Sequence, residues 1–132
     1  MPRTNVDYSK TIMYKIVCND LEITHAYVGH STSFIKRKSD HKAICNNPQS
    51  RSYNLNLYQI INANGGWDNW NMIEIEKYPC GDGNEARKRE RYWFNELKAN
   101  MNTCIPSRTR QEREKLRSEE KRAYYILKKS LA

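Results

Sequence analysis

The sequence predicts an α+β fold, a small α/β sandwich in which a three-stranded antiparallel sheet is flanked by helices. Three observations predict it. Two short runs alternate in hydrophobicity on either side of a polar turn near the N-terminus, and a third such run lies further along. The segments between and after them carry helical spacing with capping residues. In chain order this reads β-β-α-α-β-α, an antiparallel sheet covered by helices.

The first strand is "TIMYKIVC", with Ile12, Tyr14, Ile16 and Cys18 on one face and Met13, Lys15 and Val17 on the other. "NDLE" supplies turn chemistry, and "ITHAYVG" reads as a second strand ending at Gly29. The two form an antiparallel hairpin in which Tyr14 and Tyr27 are expected as neighbours, their hydroxyls pointing the same way. Ser31 or Thr32 then caps a helix over residues 33–45, stopped by Asn46, Asn47 and Pro48. Leu57, Tyr58, Ile60 and Ile61 line one side of a second helix within residues 54–64, closed by Gly65 and Gly66. "WNMIEIEKY" is the third strand, with Ile73 and Ile75 expected inward. "PCGDGN" turns into a capped helix over residues 84–99, and Pro106 closes the domain. The chain divides into a domain over residues 1–106 and a basic C-terminal helix or arm over 107–132. In that arm Glu112 with Lys115, Glu114 with Arg117 and Glu119 with Arg122 fall at helical spacing, with Tyr124, Ile126, Leu127 and Leu131 clustered late.

At 132 residues the chain is one domain's worth. No apolar run approaches the roughly 20 residues of a membrane span, and "MPRTNVDYSK" lacks the apolar core of a secretory signal. A soluble intracellular protein of cytoplasm or nucleus is therefore expected, without a membrane partner. Cys18, Cys45, Cys80 and Cys104 are far apart, with no C-x-x-C pair, so reduced thiols and no zinc site are expected. The net charge is +8, and residues 107–132 hold nine Lys/Arg against four Glu. Such an excess favours a polyanionic partner, most often nucleic acid.

Four positions could carry chemistry. Arg37 and His41 are four apart and share one helix face, a phosphate-binding fork beside a proton-moving ring. Lys36, Lys38 and Lys42 surround them, and on spacing alone a solvated basic helix accounts for the pattern. Glu90 falls on the apolar stripe of Ala86, Trp93 and Leu97. A carboxylate there needs either a salt bridge, to an arginine such as Arg37, or a hard cation such as Mg²⁺. Tyr27 precedes Gly29 by two residues, and cross-strand aromatic packing is the ordinary use of a tyrosine there.

As a set, these residues resemble the GIY-YIG nuclease superfamily. Ile12-Met13-Tyr14 matches its first motif loosely, with Ile12 where the family has glycine. Tyr27-Val28-Gly29 matches the second, with Val28 for isoleucine. Arg37 follows Tyr27 by ten residues and His41 comes four later, both at the family's spacing; Glu90 and then Asn102 stand in the expected order. The likeness covers residues 11–106. It implies the GIY-YIG fold and Mg²⁺-dependent hydrolysis of DNA phosphodiesters, linear or branched, with Mn²⁺ able to substitute. Glu90 would hold the metal, Arg37 the phosphate, and Tyr14 would orient water or phosphate. Tyr27 would be the general base, with His41 as helper or as the competing base. Gly29 would let the chain turn close to the phosphate, and Asn102 would brace the site. Lys36, Lys38 and Lys42 would grip flanking phosphates of the DNA. The tail resembles the linkers of GIY-YIG homing endonucleases, the mobile-element kind found in phages and large DNA viruses. A non-catalytic nucleic-acid-binding module on the same fold is the alternative, and a nuclease domain targeted by a partner chain a third. Oligomeric state is open between monomer and weak dimer. His30, next to Gly29, is an extra imidazole the family pattern does not explain, with a catalytic or a surface role both open.

Overall fold

The computed structural model describes residues 6–102 and 109–130. It holds an antiparallel sheet of β1 (Ile12–Cys18), β2 (Ala26–Ser31) and β3 (Trp70–Lys77), in the spatial order β2-β1-β3. The helices are α1 (Phe34–Cys45), α2 (Asn56–Ala63), α3 (Gly83–Glu96) and α4 (Arg110–Ser130), with 3-10 turns at Tyr8–Lys10 and Trp67–Asn69. The α+β sandwich expected from the alternating runs is the observed architecture. Cys104, Pro106 and Leu131 lie outside the described residues.

One sheet face and α1 and α2 enclose the main core, where Tyr14, Ile16, Tyr58, Ile61 and Met101 are at most 2% exposed. Trp67 and Trp70 are buried in the same core. The other face meets α3, whose Ala86 is fully buried. At α2's end Gly65 and Gly66 take positive φ (98° and 78°), and the Gly66 N–H donates to the Ile61 carbonyl.

Several boundaries and phases differ from the sequence reading. β2 runs two residues past Gly29, to Ser31, and the N-cap position of α1 is Ser33, without a side-chain capping bond, rather than Ser31 or Thr32. The Ser31 hydroxyl instead bonds the backbone of Ser33. In β3 the buried residues are Trp70 and Met72, while Ile73 is 42% exposed and Ile75 half-buried. Alternation sets a period but not which face is inward, and the larger Trp70–Met72 surface takes the core. A bulge then shifts the register, so that Tyr14 lies opposite Glu74 and Met13 opposite Glu76. Glu76 is thereby turned to the α3 side, where Arg89 grips both its oxygens at 2.6 Å.

The outer edge of β2 is covered without a strand. The Asn100 and Met101 N–H groups donate to the Ala26 carbonyl, and the Asn100 side chain accepts from the Ala26 N–H. Asn102 accepts from the Val28 N–H (3.2 Å) and donates to the Val28 carbonyl (2.8 Å). Two side-chain amides thus occupy the groups that an exposed edge leaves open. Helix α4 is exposed along most of its length, including Tyr124 to Leu127. Among the described residues none of the three i,i+3 charge pairs is found: Glu112 reaches Arg91 of α3 (2.9 Å), and Glu114 pairs with Arg110 (3.1 Å).

Candidate active site

The pairing of β1 with β2 places Tyr14 opposite Gly29 and Tyr27 opposite Ile16. The two tyrosines are therefore diagonal rather than direct neighbours, with ring centroids 6.2 Å apart on one sheet face. Gly29 sits inside the strand, not at a turn. Its need for glycine is the Tyr14 ring: a Cβ at Gly29 would lie 2.5 Å from the Tyr14 hydroxyl. The missing side chain makes room for that phenol.

Helix α1 crosses this face and delivers His41 between the tyrosines. His41 is fully buried, its Nε2 is 2.8 Å from the Tyr14 hydroxyl, and its Nδ1 is 2.7 Å from the Tyr58 hydroxyl. Tyr27 and Trp67 also flank the ring, at centroid distances of 5.8 and 6.4 Å. Burial, with Arg37 nearby, lowers the His41 pKa to about 4, so the imidazole is neutral near pH 7. A neutral imidazole donates from one nitrogen and accepts at the other, so one phenol donates to it and the other receives. Tyr58 is the site residue that sequence reading missed. It falls on the apolar stripe of α2, and its partner on α1 is seventeen positions away, so no local pattern marks it.

Arg37, one turn before His41, is half-buried and borders an open depression lined by Ser31, Thr32, Ser33, Lys36 and Asp40. Lys36, Lys38 and Lys42 are exposed on the same helix. Burial raises the Tyr27 pKa and the Glu90 charge raises it further, while Arg37 and the Tyr14 hydroxyl pull it back down. Burial likewise raises that of Tyr14. The phenols stay protonated in the protein alone.

Glu90 comes from α3, on the far side of β2 from His41. Of the two alternatives that the sequence left open for Glu90, the salt bridge to an arginine such as Arg37 is not found among the described residues. The partner of Glu90 is His30, whose Nδ1 donates to Oε1 at 3.2 Å. Because β2 extends to Ser31, His30 alternates away from Tyr27 and Gly29 and faces α3, which is why it meets Glu90 rather than the tyrosines. Asn102 pins β2 at Val28, between Tyr27 and Gly29.

Among the described residues no group of three or more His, Cys, Asp and Glu is placed to hold a metal ion. A single half-buried carboxylate is nevertheless a suitable donor for Mg²⁺, which keeps most of its waters and takes one or two carboxylates from a protein. The Glu90 carboxylate suits that ion.

Among the described residues no helix is long and apolar enough to cross a membrane. A family model described as the GIY-YIG catalytic domain matches residues 10–103. No curated protein and no solved structure matches the chain.

Proposed function

The chain belongs to the GIY-YIG catalytic-domain family, a family of nucleases, and from that premise we propose that it is a Mg²⁺-dependent DNA endonuclease acting through Tyr27, Arg37 and Glu90. One observation carries the reading. Arg37 and Glu90, opposite charges from two helices, both act on the Tyr27 phenol, and among the described residues no ion pair joins them. That leaves a guanidinium for a phosphate and a carboxylate for a cation, both acting on one phenol. A module that only binds nucleic acid has no use for the carboxylate.

In this reading the scissile phosphate rests against Arg37, whose planar fork binds two phosphate oxygens and stabilises the charge that develops on them. Lys36, Lys38 and Lys42 hold the flanking backbone, a contribution that weakens with salt. Glu90 would hold Mg²⁺, which would supply Lewis-acid charge towards the phosphate and offset the carboxylate charge that, after burial, raises the Tyr27 pKa. Tyr27 would first release its own proton to solvent, and the phenolate would then take the proton of the attacking water. His41 is the weaker candidate for that step, because both its nitrogens are engaged by Tyr14 and Tyr58 and it is sealed from solvent. Its part is to hold the Tyr14 hydroxyl in place beside Gly29 and Tyr27. We take residues 1–106 as the catalytic domain. The basic helix that follows supports placing the chain with homing or mobile-element nucleases.

The test is cleavage of linear and branched DNA with Mg²⁺, with EDTA and Glu90→Ala as controls. Activity is expected to fall at least a hundredfold in Glu90→Ala, on the order of 3 kcal/mol of transition-state stabilisation. Cleavage that persists in that variant removes Glu90 from the mechanism. Tyr27→Phe is expected to lose activity as severely. Retained activity there would return the base to His41.

A further inference from the structure

We propose that His30 is a positioning residue for Glu90: its Nδ1–H holds one carboxylate oxygen so that the other is presented to the cation. The inference rests on the reading of Glu90 as the metal ligand. A carboxylate only accepts hydrogen bonds, so the imidazole must be the donor at Nδ1, 3.2 Å from Oε1. The second carboxylate oxygen has no hydrogen-bond partner among the described residues. His30 and Glu90 are largely shielded, with side chains 24% and 13% exposed.

Both ends of the contact are anchored. On the strand side, Asn102 ties down Val28, two residues before His30, and the cross-strand partner of His30 is the fully buried Met13. On the helix side, Ala86 lies fully buried one turn before Glu90, and the neighbouring Arg89 is clamped to Glu76. A free glutamate rotates about three side-chain bonds, and ordering it costs entropy each time a cation binds. With one oxygen already held, that ordering is done before the cation arrives. The need is acute where one protein oxygen serves an ion that demands near-octahedral geometry. Partners that hydrogen-bond a ligating carboxylate commonly contribute about 10- to 100-fold to metal affinity or activity.

The experiment compares the full chain with His30→Ala, His30→Asn and Glu90→Ala. Asparagine places an N–H donor where the Nδ1 of histidine stood, and alanine removes it. Binding of Mn²⁺ alone, followed by electron paramagnetic resonance of the free ion, reads the site without catalysis. We expect His30→Ala to weaken Mn²⁺ binding about tenfold or more and His30→Asn to stay near the unsubstituted protein. The Mg²⁺ concentration for half-maximal cleavage should shift in the same order. Unchanged Mn²⁺ affinity in His30→Ala would overturn the proposal, as would His30→Asn binding as weakly as His30→Ala. If the unsubstituted chain and Glu90→Ala bind Mn²⁺ alike, the metal reading itself fails and this one with it.

Discussion

His41 is held neutral by its surroundings, and that has a consequence for stability. In the unfolded chain a histidine titrates near its ordinary value of about 6.5, whereas in the fold burial and Arg37 lower the pKa to about 4. Between those two values the unfolded state binds more protons, so stability rises with pH across the window. Nothing is lost above the upper value, and the penalty is complete below the lower one. The difference amounts to about 3 kcal/mol. Urea unfolding at pH 7.5, 5.5 and 4.5 should therefore show a steeper loss on acidification in the parent than in His41→Gln. Equal slopes would mean that the ring takes up its proton in the fold as readily as in the unfolded chain. The helical spacing of Arg37 and His41 was visible in the sequence, but the neutrality of His41 was not. It follows from burial under three phenols and an indole contributed by other elements, with Arg37 adding to it.

Among the elements, β2 concentrates the site's requirements. One face presents Tyr27 and the space above Gly29, the other presents His30, and the edge is filled by Asn100 and Asn102. Gly29→Ala would drive a methyl group into Tyr14, whose hydroxyl is already bound to His41. The expected cost is about 1–3 kcal/mol, as for other overpacked sites, together with reduced cleavage as Tyr14 and His41 shift. Chemical denaturation and a cleavage rate measure the two effects; full stability in Gly29→Ala would show that the ring moves aside freely. The strands and helices of this domain were readable because their periods and caps are local. Strand phase was not, and the choice of Trp70 and Met72 over Ile73 was made by which surface the helices cover. The end of β2 was set one residue at a time by hydrogen bonding. Misplacing it at Gly29 is what made the role of His30 unreadable.

Across the whole molecule, charge is uneven. The arm over residues 107–132 carries nine basic and four acidic residues, and α4 within it is mostly exposed. Removing residues 107–132 is expected to leave the melting temperature of the sheet domain nearly unchanged, since the Arg91–Glu112 pair is partly exposed and such pairs contribute at most about 1 kcal/mol. DNA binding should weaken, and the plot of log affinity against log salt should become shallower by about 0.9 for each phosphate that the arm neutralises. An unchanged salt slope would show that the arm does not touch DNA. By itself the sequence determined the element order, the antiparallel sheet and the basic charge of residues 107–132, and it marked Tyr14, Tyr27, Arg37, His41 and Glu90 as candidates, because periodicity, capping, charge and motif spacing are properties of the chain. Only the tertiary structure decided that Tyr58 joins His41, that Gly29 exists to admit Tyr14, and that Glu90 meets His30 instead of Arg37. Those pairings depend on register and on which side of β2 each helix lies, and neither is written in the spacing of residues along the chain.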